Sequence, residues 1–162
     1  MRLKERKPVS ILVADDDPDD KILIKEAFSE NFLLTDISFV DNGEELLNFL
    51  HGIGKYEPQT DIAQKLPDLI LLDLNMPRKD GREALKEIKS HPVFHCIPVV
   101  IFSTSKSETD LIKSYELGAN SFITKPVTYV ELLEVIKTIG KYWFDTVQLF
   151  PQNQINDELK RR

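Results

Sequence analysis

Val9-Ser10-Ile11-Leu12-Val13-Ala14-Asp15-Asp16-Asp17-Pro18, residues 9 to 18, carries a short, largely apolar run straight into consecutive carboxylates and a proline. The run is nearly continuous and rich in Ile, Val and Leu, which is the pattern of a strand covered on both faces. Asp17-Pro18 then reads as a helix start, with aspartate as the cap and proline at the first helical position. The same unit recurs further on. Leu69-Ile70-Leu71-Leu72 is a second buried run that ends on a carboxylate, Asp73, and Pro98 to Phe102 is a third run of this kind.

Between these runs lie helical periodicities at Ile22, Leu23, Ala27 and Phe28, at Leu46, Leu47 and Leu50, at Ala84, Leu85 and Ile88, and at Leu111, Ile112 and Tyr115. Thr128, with Glu131 three residues on, has capping-box spacing and opens a last helix whose apolar face runs through Leu132, Leu133, Val135, Ile136 and Ile139. Ile37 to Val40 and Ser121 to Thr124 supply two more strands. Strands alternating with helices predict right-handed crossovers and a parallel sheet. The expected fold is therefore α/β, a doubly wound five-stranded parallel sheet in the flavodoxin-like order 2-1-3-4-5. In such a sheet ligands bind beyond the carboxyl ends of the strands, at the switch point between the first and third.

Asp15, Asp16 and Asp73 end those two strands. Like charges repel by about 4 kcal/mol per pair at about 4 Å for an effective dielectric near 20, so the cluster should raise its own pKa values or recruit a divalent cation. A hard, oxygen-seeking ion such as Mg²⁺ suits it. Asp17 is expected to cap the helix and not to serve as a ligand. In the turn Arg78-Lys79-Asp80-Gly81, Asp80 is a cap candidate and Gly81 eases a close backbone approach.

A length of 162 residues suits one domain with a short appendage. No stretch approaches the roughly 20 apolar residues that cross a bilayer, and the basic start, Arg2, Lys4, Arg6 and Lys7, leads into a strand without a secretory segment. A cytoplasmic protein without a membrane contact is expected. Cys96 is the only cysteine, so no internal disulfide can form, and His51, His91 and His95 lack the spacing of a transition-metal site. A formal net charge of −6 argues against binding to nucleic acid, whose phosphates are held by clustered Lys and Arg. The insertion from His51 to Pro67 and the aromatic tail, with Tyr142, Trp143, Phe144 and Phe150, stand outside the alternating pattern.

Four motifs in order resemble the receiver domain of two-component response regulators: Asp15-Asp16 after the first strand, Asp73-Leu74-Asn75-Met76-Pro77 with Asp80-Gly81 after the third, Ser103 ending the fourth, and Lys125-Pro126 ending the fifth. The resemblance covers residues 8 to 140 as the receiver and leaves 141 to 162 as a C-terminal extension that packs on the domain or on a dimer partner. The long insertion and the tail narrow it to the single-domain, cyanobacterial phytochrome response-regulator type.

That resemblance implies that Asp73 is the phosphoacceptor and that Asp16, Asp15 through water, Asp73 and the backbone carbonyl of Asn75 hold Mg²⁺. It further implies that Lys125 neutralises the phosphoryl oxygens, that Ser103 and Phe122 form the switch, and that the Lys125-Pro126 bond is cis. The implied donor is a sensor histidine kinase, of phytochrome type, or a histidine phosphotransfer protein, with a homodimer as the assembly. With Asp73 as acceptor, Asn75 and Ser105 flank the route of an attacking water. Self-phosphorylation and slow hydrolysis make it an enzyme only marginally.

Two other readings use the same residues. Asp15-Asp16-Asp17 supplies the Asp-x-Asp spacing of an aspartate-nucleophile phosphatase of haloacid dehalogenase type, but that leaves Asp73 and Lys125 unassigned. A flavodoxin-like flavin carrier shares the fold by analogy. Three aspartates would repel its phosphate.

Overall fold

The computed structural model describes residues 7–58 and 66–161. The basic residues Arg2, Lys4 and Arg6, the middle of the insertion between His51 and Pro67, and Arg162 lie outside the described residues. Five strands, β1 (Val9–Ala14), β2 (Thr35–Val40), β3 (Leu69–Leu72), β4 (Val99–Ser103) and β5 (Ser121–Thr124), form one parallel sheet in the order β2-β1-β3-β4-β5. Helices α1 (Pro18–Glu30), α2 (Gly43–His51), α3 (Gly81–Ser90), α4 (Glu108–Glu116) and α5 (Tyr129–Gly140) alternate with them, and α6 (Gln152–Arg161) follows. The doubly wound fold expected from the alternating pattern is the fold observed. Register places Ala14 beside Leu72 and Ser103 beside Thr124, so the residues that follow these ends share one edge.

Strand side chains alternate between faces, and the core divides accordingly. Leu12, Ala14, Ile70, Leu72, Val99 and Ile101 pack with α2 and α3 through Leu46, Leu50, Ala84, Leu85 and Ile88. Ile11, Val13, Leu69, Leu71, Val100 and Phe102 pack on the other face with Ile24, Ala27 and Phe28 of α1 and with Leu132, Ile136 and Ile139 of α5. Each fully buried aliphatic side chain contributes about 1.5 to 3 kcal/mol, so β3, buried at all its positions, is the spine of the molecule. Asn31 ties the two helices of the second face together, its side-chain amide donating to the carbonyls of Ala27 and Leu133.

Two helices turn differently from their apolar spacing. In α1 Ile24 faces the core, whereas Ile22 and Leu23 are exposed. In α4 Leu111, Ile112 and Tyr115 all face outward and the buried residue is Ser114, whose hydroxyl donates to the carbonyl of Asp110. Period 3.6 shows that residues share a face but not which way the face points, and α4 lies against the edge strand β5, with little sheet left to cover. The Lys125-Pro126 bond is trans, as no described peptide bond is cis; this corrects the expected cis bond and follows the ordinary preference of X-Pro. Beyond α5 a π-helical turn at Lys141–Thr146 brings Phe144 into a stack on Phe28, with ring centroids 6.3 Å apart, and Trp143 against the same cluster. Ile155 of α6 is buried in the opposite cluster.

Candidate functional site

Past the carboxyl ends of β1 and β3, Asp15, Asp16 and Asp73 each offer an oxygen within 4.8 Å of the other two. Lys125, just beyond β5, reaches into this nest. Its ammonium donates to Asp15 Oδ2 at 2.6 Å, to Asp20 Oδ2 at 2.8 Å and to Asp73 Oδ2 at 3.1 Å. An ammonium has three donors, so its capacity is filled by three carboxylates. Asp15 and Asp73 are only 1% and 8% exposed and Ser103 is fully buried, whereas Asp16 is exposed, so the nest is withdrawn from water around Asp15 and Asp73 and open to it at Asp16.

Local sequence explains the placement. Asp17 accepts from the backbone N–H groups of Asp19 and Asp20 and caps α1 as expected, which frees Asp15 to turn inward. Asp15 Oδ1 also accepts from the Asp17 N–H at 2.9 Å. After β3, the Gly81 N–H donates to the Leu74 carbonyl at 2.8 Å, and a Cβ at Gly81 would stand 2.1 Å from the carbonyl oxygen of Asp73. Only glycine lets α3 start this close to the strand end. Asp80 caps that helix through the N–H groups of Arg82 and Glu83, and Arg78 holds a left-handed φ of 61° in the same loop. The Lys125 N–H donates to the Ser103 carbonyl at 2.8 Å, extending the β4-β5 ladder to bring the lysine over the nest.

Electrostatics follow burial more than mutual repulsion. The Asp15 pKa is raised above its ordinary 3.8 chiefly by desolvation; hydrogen bonds from Lys125 and the Asp17 N–H oppose this, and the Asp73 charge is a smaller upward cause. Burial works against the Lys125 ammonium, but its hydrogen bonds to Asp15 and Asp20 and the charges of Asp15 and Asp73 outweigh it, and its pKa is raised. The donor set of the nest is all oxygen, with no thiolate or imidazole, and it fits a hard divalent cation.

The other expected residues surround this nest. Ser103 Oγ accepts from the Ser105 N–H at 3.2 Å, and Phe122, paired with Ile101 in the sheet, is half-buried against the α2 and α3 cluster. Asn75 is exposed, and its backbone N–H donates to Asp73 Oδ1 at 3.4 Å. Sequence reading missed Asp20. Helical side chains tilt toward the N-terminus, so a carboxylate at the third position of α1 reaches back over the strand end, a signal that was available. It also missed the pairing of Arg82 with Asp110, which lie 28 residues apart and have no local signature. His51 and His91 pack with Phe94, His91 stacking on it at 3.9 Å.

A parallel sheet of this order with carboxylates and a lysine gathered at its β1/β3 switch point defines a receiver-type signalling domain. The family model of the response regulator receiver domain matches residues 11–137, and the chain belongs to that family. Response regulator Rcp1 of Synechocystis sp. is 38% identical over 142 residues, which span 88% of this chain and 93% of Rcp1. The phosphorylated cyanobacterial phytochrome response regulator RcpA superposes with a TM-score of 0.81 at 39% identity, covering 89% of this chain and 99% of RcpA. Rcp1 in its Mn²⁺-bound form superposes with a TM-score of 0.80 at 38% identity, covering 89% of this chain and all of Rcp1. The protein is thus a receiver-domain response regulator of two-component signalling, a class that works with histidine kinases and binds a divalent metal. The phosphatase and flavin-carrier readings find no comparable support. Among the described residues no helix is long and apolar enough to cross a membrane.

Proposed function

We propose that Asp73 accepts a phosphoryl group from a phosphohistidine and that the resulting acyl phosphate changes which proteins this chain contacts. In the transfer an Asp73 carboxylate oxygen attacks phosphorus, the bond to the imidazole nitrogen breaks, and its electron pair leaves with the histidine. Phosphoryl transfer needs mostly in-line positioning and charge neutralisation. The observation that carries the reading is the Lys125 ammonium 3.1 Å from Asp73 Oδ2, beside carboxylates grouped closely enough to share one cation. Asp16, Asp15, Asp73 and the Asn75 backbone carbonyl are the groups that would hold Mg²⁺, which when bound supplies positive charge to the phosphoryl oxygens.

Lys125 retains Asp15 and Asp20 as anchors while its third donor turns to the phosphoryl group. Ser103 donates its hydroxyl to that group, and Phe122 packs inward as the β4 end moves, a charge-driven bias of a two-state element. The donor is a sensor histidine kinase or a histidine phosphotransfer protein; the likeness to RcpA favours a kinase of phytochrome type. Residues 8 to 140 act as the receiver and 141 to 162 as an extension to it, in a cytoplasmic protein that does not bind nucleic acid. A homodimer through α4, β5 and α5 is supported by the outward Leu111, Ile112 and Tyr115 and by an apolar groove of about 550 Å³ that includes Ile123, Val135 and Trp143.

Incubation with acetyl phosphate and Mg²⁺, followed by intact-mass analysis, tests the central claim. Wild type should gain one hydroxylamine-labile phosphoryl group, and Asp73→Asn or excess EDTA should abolish the gain. Equal uptake by Asp73→Asn would overturn the assignment.

A further inference from the structure

Alongside the nest runs a second polar chain that phosphoryl uptake does not use. Arg82 of α3 donates from Nε at 3.1 Å and from Nη2 at 2.7 Å to Asp110 Oδ1 on α4, and from Nη1 at 3.4 Å to Asn75 Oδ1. The other Asp110 oxygen accepts from the Ser105 hydroxyl at 2.6 Å, and that hydroxyl accepts from the Ser107 N–H at 3.3 Å. One ion pair therefore ties the loop after β3 to the loop after β4. Both tied residues stand next to the reacting groups, since the Asn75 backbone N–H meets Asp73 Oδ1 and the Ser105 backbone N–H meets Ser103 Oγ.

We propose that Arg82 and Asp110 form a clasp that prolongs the life of the acyl phosphate by keeping the polar groups of Asn75 and Ser105 occupied. This rests on Asp73 as the acceptor. Hydrolysis requires a water whose oxygen attacks phosphorus opposite the Asp73 oxygen; the phosphorus to Asp73 bond breaks, its electron pair returns to the carboxylate, and inorganic phosphate and a proton leave. Such a water gains when a hydroxyl or an amide oxygen beside the acyl phosphate orients it. Here the single Ser105 hydroxyl proton is committed to Asp110 and its oxygen already accepts a hydrogen bond, while the Asn75 amide oxygen is held by Arg82. The clasp withholds from the water the polar side chains of the two residues that adjoin Asp73 and Ser103. Arg82 and Asp110 are accordingly positioning residues, acting through Asn75 and Ser105.

The test loads full-length protein with acetyl phosphate and Mg²⁺, removes the donor, and follows loss of the phosphoryl group by intact mass, a rate into which the rate of uptake does not enter. Arg82→Gln should lose it about fivefold faster than wild type, equivalent to about 1 kcal/mol at 1.36 kcal/mol per tenfold. Arg82→Gln combined with Asn75→Ala should return toward the wild-type rate, because the amide oxygen that Arg82 released is then gone while the Ser105 hydroxyl stays on Asp110; a merely structural role for Arg82 gives no such return. If Arg82→Gln does not fold, Asp110→Ala, which releases the Ser105 hydroxyl, carries the same expectation, with Ser105→Ala as the restoring change. An unchanged or slower loss in the folded single variants, or a fast loss that the matching restoring change leaves fast, overturns the clasp. Failure of wild type to take up a phosphoryl group would instead overturn the assignment of Asp73.

Discussion

Two clusters of a cation with carboxylates lie at the same edge of the sheet, yet their chemistry differs. Around Lys125 one ammonium faces Asp15, Asp20 and Asp73, with Asp16 close by, so negative charge is in excess in a place where Lys125 and Asp73 side chains are 8% and 10% exposed. Around Arg82 the guanidinium spends its strongest contacts on one carboxylate, Asp110, in better contact with water. The pKa values move in opposite directions as a result. Burial raises Asp15 above 3.8, whereas the Ser105 hydroxyl and then the Arg82 guanidinium hold Asp110 below it. An unbalanced, partly desolvated cluster favours another cation. A balanced one holds two loops in place.

Removing the central cation should separate the two clusters most sharply. Lys125→Ala leaves buried carboxylates uncompensated, and losing one partner of a buried charge pair costs about 3 to 5 kcal/mol. We expect a loss of about 3 kcal/mol in urea unfolding with EDTA at neutral pH, shrinking when Mg²⁺ is added because a divalent cation can take over part of the neutralisation. A small loss that does not respond to Mg²⁺ would contradict the charge excess inferred for the nest. Asp20→Asn should cost less. Its side chain is 34% exposed, so solvent screens the pair, and about 1 kcal/mol is the expected loss in the same measurement. Equal losses for the two variants would mean that Asp20, and not the buried pair, carries the anchoring.

The fold and the nest were legible in the sequence for related reasons. Buried parallel strands need continuous apolar runs, and Val9–Ala14 and Leu69–Leu72 have them; the residues that follow such runs must lie at the switch point. Asp17, Asp80 and Thr128 were readable as caps because capping is set by backbone groups two or three residues away. What escaped is what depends on neighbours distant in the chain. The outward face of α4 is decided by its position over the edge strand, and the Arg82 to Asp110 contact by how α3 and α4 approach each other. The source of the Asp15 shift escaped for the same reason, since like charges can be counted in a sequence but desolvation is a property of the packed molecule.

The finest distinction between the clusters is the sign of their response to acid. Asp110 has a folded-state pKa below its ordinary 3.8, so its contribution to stability is complete above that value and is lost as the pH falls through the lower, folded value. Asp15 has a folded-state pKa above 3.8, so the folded state binds its proton first, and the fall in pH toward 3.8 favours folding at that group. Asp110→Asn removes the first effect and leaves the second. Calorimetric Tm values taken between about pH 5 and about pH 2 should therefore fall less steeply for the variant than for wild type, with the curves converging at the acid end. The gap between them at neutral pH should be modest, as expected of a pair near the surface. Parallel curves would mean that Asp110 contributes no charge-dependent stability, and the contrast between a balanced clasp and an unbalanced nest would then rest on geometry alone.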